Sequence, residues 1–466
     1  MGLLRRHLSI CNPLHHFQLC RELSTNWSSI TAKAGGTPLA ATAPEMKPSG
    51  RAIDGKHPQR DRPILSHTSR LGRKYLLRTD ISRFYHSIYT HSIAWALHTK
   101  SVAKVNHKFA LLGNRLDFWV RNGQDAQTIG IPIGPDSSLV IAELIMHRCD
   151  EELMKKIPSV KGHRFIDDYE LSFLTRTEAE DAFHILESCL SYYELALNPK
   201  KTEVLELPLP FEALWATELK RFSIRTSKSG QSSDLQSFFN LAFDLHQRYP
   251  EDAVLQFAIA KLRHVKVVPD NWELFQQLIL NCVIPEPACF PYALEQIIIC
   301  ANAGAKPLKG ALEEIVNLLA VTHASLNHTS EVANALWACL ALNITLHEKA
   351  VESVSACDNS VIALLALDLE RNKLAAKPFD KSTWMLHMNT DALYDTNWLL
   401  AYEANIKGWL PSASGADHVA ADPNFQFLKS NKVFFYDTKL AASAPFAPVV
   451  LPTLPTAPSY MERGSP

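Results

Sequence analysis

The sequence predicts an α+β domain of the ferredoxin-like type, followed by an all-α domain of helical-repeat character. The 466 residues are enough for two or three domains. Between residues 75 and 196, strand-like and helical patterns follow in the order strand, helix, hairpin, helix. From 233 to 410, apolar segments with helical period follow one another instead. This change of pattern predicts domains at 1–225 and 226–410, and an irregular segment at 411–466.

The α+β part begins after a helix predicted at 17–30 and a loop-dominated basic segment at 34–63. The first strand contains the apolar run of Tyr75, Leu76 and Leu77. The remaining elements are an amphipathic helix at 137–157, a hairpin in which HRFI and YELSFL flank Asp167 and Asp168, and a helix at 176–196. The hairpin is indicated by two short apolar runs on either side of a tight acidic turn.

The second half is predicted from six apolar segments, which are LQSFFNLAFDLHQRY, NWELFQQLILNCVI, ALEQIIICANA, ALEEIVNLLAVTHA, EVANALWACLAL and VIALLALDLE. Helix pairs at irregular spacing are typical of an α-solenoid, although a non-repetitive helical bundle explains the pattern equally well. After 411 we expect irregular structure, with one strand-like run at 432–436 and a flexible Pro/Ala-rich end.

The charge is distributed unevenly along the chain. Residues 1–110 contain 17 Lys+Arg and 5 Asp+Glu, a net charge of +12. The remainder contains 30 and 43, a net charge of -13. A basic first third indicates a surface for a polyanion, of which nucleic acid is the commonest. Chance clustering of solvated charge is the alternative.

The nine cysteines form no CxxC pair, and several lie in apolar stretches, which indicates buried thiols in a reducing compartment. No apolar run reaches the length of a membrane span. Arg5 and Arg6 are not followed by the apolar region of a signal peptide. We therefore expect a cytoplasmic protein without a membrane partner.

Two acidic segments carry the clearest chemistry. Asp80 follows the first strand, and Asp167 and Asp168 lie at the tip of the hairpin. Paired carboxylates repel each other unless a cation lies close by. Oxygen ligands of this kind suit Mg²⁺ or Mn²⁺. Together the segments predict a two-metal site for phosphoryl transfer, in which the ions activate a 3′-hydroxyl and stabilise the leaving pyrophosphate.

A third segment, GIPIGPDSS, runs from Gly130 to Ser138 and leads into the long helix. Two glycines around a proline make a stiff turn that allows close approach. The helix start that follows is suited to contact a phosphate or a sugar. Each segment alone is more often structural, because an isolated Asp-Asp pair usually marks a solvated turn. The order and spacing of all three are more specific.

These segments resemble motifs A, B and C of reverse transcriptases, and Lys200-Lys201-Thr202 after Leu197-Asn198 resembles motif D. DISRFYHSIYTHSIAWALHTK, GIPIGPDSSLVIAEL and RFIDDYEL are similar to bacterial abortive-infection and defence-associated reverse transcriptases. The resemblance covers residues 1–225. It extends more weakly to LYDTNWLLAYEANIKGWL and KVFFYD in the second half. It implies a palm and fingers, with the helical domain in place of an ordinary thumb.

The resemblance also implies roles for the acidic residues. Asp80 and Asp167 would bind both metal ions, Asp168 would be the less direct ligand, and the backbone carbonyl of Ile81 would complete one site. Lys201 would be the general acid for the leaving pyrophosphate. A solvated lysine is the alternative.

Contacts to the nucleotide are implied in the same way. Tyr85 matches the steric-gate position, which excludes the ribose 2′-hydroxyl. The further candidates are Arg70, Arg73 and Lys74 for the triphosphate, and Gly134 and Ser138 for the nucleotide or the primer strand. Two positions depart from the family pattern. Ile133 stands where many members have Gln, which places ordinary templated synthesis in doubt, and Phe165 replaces the Tyr of motif C.

The implied function is a DNA polymerase that acts in defence against phage. Its implied partners are dNTPs, RNA or DNA, further copies of the chain as a trimer or hexamer, and an associated non-coding RNA or protein. Synthesis in such proteins can be protein-primed or template-independent. The alternative from another class is a catalytically relict palm that acts as a binding or scaffold effector. An RNA-templated RNA polymerase is a third reading, which the bulky Tyr85 disfavours.

Overall fold

The computed structural model describes residues 6–48, 50–413 and 415–443. These residues divide into two compact units, of which the first extends to Leu214 and the second begins at Trp215. The sequence placed the boundary after residue 225. Within the described ranges, none of the helices combines the length and the apolar character needed to cross a membrane.

The first unit contains both helices and strands. Its elements are α1 (Pro13–Thr25), α2 (Trp27–Ala34), β1 (Pro44–Met46), β2 (Ile53–Gly55), α3 (Arg62–Arg70), β3 (Tyr75–Thr79), α4 (Phe84–Ser87), α5 (Ser92–His98), α6 (Lys100–Val105), α7 (Leu112–Asn122), α8 (Asp136–Lys156), β4 (Lys161–Phe165), β5 (Asp168–Phe173), α9 (Arg176–Tyr192) and β6 (Glu203–Glu206). The predicted order of strand, long helix, hairpin and helix is present as β3, α8, β4–β5 and α9.

A four-stranded sheet with the strand order β4-β5-β3-β6 organises this unit, and all its neighbouring strands are antiparallel. The central strand β3 places Thr79 opposite Tyr169 of β5. Helix α9 begins with a capping box, in which Thr175 and Glu178 exchange hydrogen bonds with each other's backbone. Apolar side chains of α8, α9, β3 and β5 form one continuous core. This core holds the ends of β3 and β5 in fixed register.

The N-terminal part differs from the prediction in two places. The helix predicted at 17–30 is two helices, α1 and α2, which meet at Asn26. The Asn26 side chain donates to the carbonyl of Glu22 (2.9 Å), a local bond that competes with helix continuation. The segment predicted as loop at 34–63 contains the short hairpin β1–β2. Strands of three residues are too short to produce a visible period of two.

The regular elements among the described residues of the second unit are helices, joined by turns and loops. Its helices are α10 (Leu214–Arg221), α11 (Lys228–Arg248), α12 (Val254–Lys261), α13 (Trp272–Leu280), α14 (Phe290–Asn302), α15 (Lys309–Ala324), α16 (Thr329–Leu342), α17 (Glu348–Ser355), α18 (Ser360–Arg371), α19 (Ser382–Met385), α20 (Trp398–Ile406), α21 (His418–Ala421), α22 (Pro423–Ser430) and α23 (Thr438–Ser443). Each of the six apolar segments predicted as helical overlaps one of these helices. Helical-repeat architecture stays a prediction.

The strand-like run at 432–436 is not a strand, and that prediction was wrong. Lys432 has a left-handed backbone (φ 54°), and the run continues as a loop. Its aromatic residues pack on helices instead: the Phe435 ring contacts Trp398 (centroids 5.0 Å), and Tyr402 donates to the Val433 carbonyl (2.8 Å). The segment after 411 is also more regular than predicted, since it contains α21, α22 and α23. The Pro/Ala-rich end from 444 lies outside the described residues.

Candidate active site

The sheet brings the three predicted carboxylates to one edge. Asp80 directly follows β3, and Asp167 and Asp168 lie at the turn where β4 passes into β5. Because β3 and β5 are neighbours in register, Asp80 and Asp168 lie at the same end of adjacent strands. All three side chains are buried, with exposed fractions of 4% for Asp80, 8% for Asp167 and 6% for Asp168.

The burial of three like charges shifts their protonation. Burial, Asp168 and Asp80 raise the pKa of Asp167 to about 8. Burial also raises the pKa of Asp168, although the guanidinium of Arg62 opposes this. A cluster of oxygen donors that resists ionisation in this way fits a divalent cation such as Mg²⁺, because the cation offsets the repulsion.

Asp80 has two partners from the segment between α9 and β6. Asn198 donates to Oδ1 (3.2 Å), and the Lys201 ammonium donates to Oδ2 (3.0 Å). The backbone amide of Asn198 also donates to the Asp80 carbonyl (2.8 Å). The structure therefore places Lys201 beside the first carboxylate. Asn198 was missed as a site residue, because an amide next to a proline reads as a turn residue.

Arg62 is a cation beside the hairpin, and its place at the site was not predicted from the sequence. Its Nη1 lies 3.3 Å from Asp168 Oδ2, and its guanidinium lies over the Phe165 ring, 5.4 Å from the centroid. Arg62 begins α3, in a segment predicted to be loop. A contact between residues 106 positions apart leaves no local signal in the sequence.

Arg73 and Lys74, two candidates for the triphosphate, are not brought to the carboxylates. They precede β3, whose five residues separate them from Asp80 by more than about 15 Å. Arg73 donates to the Ser159 carbonyl (2.8 Å), and Lys74 pairs with Glu206 (3.5 Å).

Arg70, the third candidate, has a buried side chain with several partners in this unit. It pairs with Glu170 (2.9 Å) and donates to the carbonyls of Leu209 (3.1 Å) and Pro210 (3.2 Å). Its guanidinium also lies over the Phe211 ring, 5.0 Å from the centroid. With only 5% of its side chain exposed, Arg70 has little surface for a triphosphate.

The two aromatic residues after Asp80 have different surroundings. Phe84 belongs to the core and is 3% exposed. Tyr85 is only partly buried, and its pKa is raised by burial and by the charge of Asp167. The Tyr85 carbonyl accepts from the Ile131 amide (2.8 Å), which ties it to the GIPIG segment. The charge of Asp167 thus acts on the Tyr85 hydroxyl, whereas the Phe84 ring is part of the core.

The three remaining candidates, Ile81, Gly134 and Ser138, differ in how far they are exposed to solvent. The Ile81 side chain is buried (1% exposed), so only its backbone can act as a ligand. Gly134 is exposed, has φ 120°, and its carbonyl accepts from Arg51 (2.7 Å). Ser138 is buried in the first turn of α8. The roles given to these three residues stay predictions.

The acidic turn has an unusual backbone. Ile166 adopts the left-handed conformation (φ 55°), which is costly for a β-branched residue. Both of its backbone polar groups are held: the amide donates to Thr42 Oγ1 (2.8 Å), and the carbonyl accepts from Arg164 Nη1 (2.7 Å). These two bonds offset the backbone strain at Ile166 and fix the position of the next residue, Asp167.

Arg164 is the centre of a buried ionic network behind this turn. Its fully buried guanidinium pairs with Glu143 (2.9 Å) and Asp150 (2.7 Å), which lie on α8. Tyr169 donates to Asp150 (2.6 Å), and Thr42 donates to Glu143 (2.6 Å). The hairpin is thereby joined to α8 by charge-assisted bonds in addition to packing.

Residues 28–231 match the reverse transcriptase (RNA-dependent DNA polymerase) family. The match contains all three carboxylates, Lys201 and Tyr85. These residues therefore lie within a segment, somewhat less than half of the chain, that is similar to reverse transcriptase domains.

No curated protein matches the chain in sequence. Solved structures that match include telomerase from Candida albicans in complex with the TWJ fragment of telomeric RNA, at 10% identity and a TM-score of 0.25. The match covers 62% of this chain and 54% of the telomerase chain. The chain thus spans about half the length of that telomerase.

Proposed function

We propose that the chain adds deoxynucleotides to a 3′-hydroxyl by two-metal phosphoryl transfer, with Asp80, Asp167 and Asp168 as the metal-binding residues. The observation that carries this proposal is the convergence of three buried carboxylates at one end of β3 and β5. Buried carboxylates are costly unless they are paired or coordinate a metal. Only Arg62 and Lys201 among the described cations contact them directly.

The arrangement of the oxygen donors supports one assignment of the metal ligands. Asp80 and Asp167 would hold the divalent cations, Asp168 would be the less direct ligand, and the carbonyl of Ile81 would complete one site. Bound cations would lower the pKa of the attacking hydroxyl and neutralise charge on the leaving pyrophosphate. The chain's own contribution is to hold the carboxylates in place through Asn198 and the Arg164 network.

Lys201 would donate a proton to the pyrophosphate as it leaves. Its ammonium is already at the site, 3.0 Å from Asp80 Oδ2, and lysine can carry a proton at Nζ to an anionic oxygen. Gly134 and Ser138, on the turn that leads into α8, would approach the nucleotide or the primer strand.

Sugar selection would depend on Tyr85. Its partly exposed ring near Asp167 would occupy the volume that a 2′-hydroxyl requires, so the substrate would be a dNTP and not an rNTP. This argues against an RNA polymerase with the same palm.

The biological role we propose is defence against phage, on the strength of the similarity of the three motif segments to abortive-infection reverse transcriptases. Ile133 of the GIPIG segment stands where many reverse transcriptases have Gln. This difference favours synthesis that is protein-primed or independent of an ordinary template. A homo-oligomer and an associated RNA or protein are part of the same proposal.

The test uses the purified full chain with labelled dNTPs and Mg²⁺ or Mn²⁺. We expect incorporation by the wild type, none by Asp167→Ala, and normal incorporation by Asp181→Ala. Asp181 is an exposed aspartate on α9 and serves as the matched control. Phage plating on cells that express the same three proteins tests the role in defence.

Two results would refute the proposal. Equal incorporation by the wild type and Asp167→Ala would exclude the carboxylates from the chemistry. Protection against phage by Asp167→Ala, without incorporation by any of the proteins, would instead favour the relict palm that acts as a binding effector.

A further inference from the structure

The second unit contains another group of metal-type donors, at the corner between α15 and α16. His323 lies in the last turn of α15, His328 precedes the first residue of α16, and Glu331 lies in the first turn of α16. One donor atom from each residue lies within 4.8 Å of the other two. His323 and Glu331 are buried, with 6% and 5% exposed, and His328 is partly buried.

The backbone of this corner fixes the two imidazoles. The His328 amide donates to the His323 carbonyl (3.0 Å), which closes the connection between the helices. Asn327 takes the left-handed conformation (φ 55°), and its amide donates to the Ala324 carbonyl (3.1 Å). Because α15 and α16 also pack on each other, the two ring positions are set by the fold.

The two imidazole rings face each other through their Nδ1 atoms. Nδ1 of His323 lies 2.9 Å from Nδ1 of His328, and the ring centroids are 5.1 Å apart. A neutral imidazole carries one N–H and one lone pair. A single tautomer choice could supply one hydrogen bond here. The buried carboxylate of Glu331, whose Oε2 accepts from Ser330 Oγ (2.8 Å), lies at the same corner, with an oxygen within 4.8 Å of a nitrogen of each ring.

We propose that His323, His328 and Glu331 bind one divalent cation of the zinc class, with water as the fourth ligand. Two imidazole nitrogens and one carboxylate oxygen suit Zn²⁺, whereas Mg²⁺ prefers oxygen alone. In a tetrahedral zinc site with ligands at ~2.0–2.2 Å, neighbouring donor atoms are about 3.4 Å apart. Here the two Nδ1 atoms are 2.9 Å apart, and one donor atom of each residue lies within 4.8 Å of the other two, so the spacing is compatible with that value.

The consequence for the second unit is a clamp between two consecutive helices. A cation that binds the folded corner but not the unfolded chain stabilises the fold by mass action. The site is independent of the proposed polymerase function, because it uses different residues and a different class of metal.

The experiment measures Zn²⁺ binding by the full chain after chelator treatment, by equilibrium dialysis in excess Mg²⁺. The Mg²⁺ keeps the oxygen site of the palm from contributing. We expect one zinc per chain in the wild type. In His323→Gln and Glu331→Gln, the affinity should fall by more than about 100-fold, since loss of an outer-shell partner alone costs 10–100-fold.

His347→Gln is the matched control. His347 meets Glu313 (Nε2 to Oε1, 2.6 Å) in the same unit, but that pair offers only two donors. This variant should bind zinc like the wild type. In addition, Zn²⁺ should raise the Tm of the wild type and leave that of Glu331→Gln unchanged, which keeps the test valid if His323→Gln fails to fold.

The inference is overturned if the wild type binds no zinc in excess Mg²⁺. It is also overturned if Glu331→Gln keeps the wild-type affinity, or if His347→Gln loses zinc to the same extent as Glu331→Gln.

Discussion

Arg164 donates a hydrogen bond from Nη1 to the carbonyl of Ile166 at 2.7 Å, only two positions further along the chain. This bond supports the left-handed residue that directly precedes Asp167. The same guanidinium pairs with Glu143 and Asp150 on α8. The position of the acidic turn is therefore coupled to a helix on the other side of the buried network.

We predict that Arg164→Met destabilises the protein by about 3–5 kcal/mol, because it leaves Glu143 and Asp150 buried without their cation. Urea unfolding of the full chain measures this change. Arg176→Ala is the control, since its ion pair with Glu180 is exposed to solvent and should contribute little to stability. An equal loss in both variants would mean that the network is not energetically special.

We also expect Arg164→Lys to remain folded but to require more Mg²⁺. Lysine keeps the charge but cannot replace the planar fork that reaches two carboxylates and the Ile166 carbonyl together. The Mg²⁺ concentration for half-maximal incorporation should rise by about 10-fold or more, as for other residues that orient metal ligands. A lower stability with an unchanged Mg²⁺ requirement would reduce Arg164 to a purely structural role.

The left-handed backbone of Ile166 predicts that glycine at this position is more stabilising than alanine, the reverse of the usual order. In a helix or strand, glycine is less stable than alanine by about 0.5–1 kcal/mol. At residue 166 the order should reverse, because a Cβ in this conformation costs about 1–2 kcal/mol. Ile166→Gly should therefore be more stable than Ile166→Ala in chemical denaturation. The ordinary order would show that the turn relaxes when the isoleucine is removed.

Substitution of the two adjacent aromatic residues should have opposite effects. Tyr85→Ala should keep some dNTP incorporation and raise rNTP incorporation, since overpacking of about 1–3 kcal/mol corresponds to roughly 5–150-fold discrimination. Phe84→Ala should lose about 3–5 kcal/mol of stability as a core cavity. Steady-state incorporation of dATP and ATP, together with thermal unfolding, separates the two. An unchanged sugar preference in Tyr85→Ala would exclude it as the gate.

Asp167→Asn should abolish incorporation and yet stabilise the metal-free protein at pH 8. The pKa of Asp167 is raised to about 8 in the folded chain, against ~3.9 when unfolded. The folded state thus binds more protons between these values, and its stability falls as the pH rises through them. Asparagine does not ionise, so the Asp167→Asn variant should not lose this stability as the pH rises. Unfolding at pH 5 and pH 8 measures it, with Asp181→Asn as the control that should show no gain.

The burial of His163 predicts that the four-stranded sheet is sensitive to acid. The ring is 2% exposed, and burial lowers its pKa to about 4 despite Glu170 nearby, while Arg62, Arg70 and His57 lower it further. The unfolded chain binds the proton first, at about 6.5, so stability is lost as the pH falls from 6.5 to 4.

Between pH 7 and pH 5, the wild type should lose about 2 kcal/mol through this residue. His163→Leu should not show that part of the loss, whereas His184→Leu, at an exposed position on α9, should follow the wild type. Urea unfolding at the two pH values measures all three. Identical pH dependence in the wild type and His163→Leu would assign the acid sensitivity to other groups.

Elements with a strong local pattern could be predicted from the sequence. The helix expected at 137–157 is α8, Asp136–Lys156, and the hairpin around Asp167 is present at the expected residues. In both cases the apolar period and the turn chemistry are local properties. The run at 432–436 could not be predicted in this way. An apolar run forms a strand only where a neighbouring strand supplies hydrogen bonds, and here the aromatic rings pack on helices instead.

The supporting residues of the site could not be predicted in the same way. Arg62, Asn198 and Arg164 act through partners that are distant in sequence or on another element. Nothing in their immediate neighbourhoods distinguishes them from ordinary polar residues. Arg73 and Lys74 precede Asp80 by only a few positions, but the extended strand β3 lies between them and separates them in space.

The buried network also constrains how this protein can change during evolution. Loss of Arg164 alone strands two carboxylates, and loss of Glu143 or Asp150 alone weakens the anchor of the guanidinium. A lineage that replaces one of the three must therefore replace the others at nearly the same time, with residues that need no counter-charge. Related sequences should carry the three positions as an inherited set, either all charged or all neutral, with few intermediates between them.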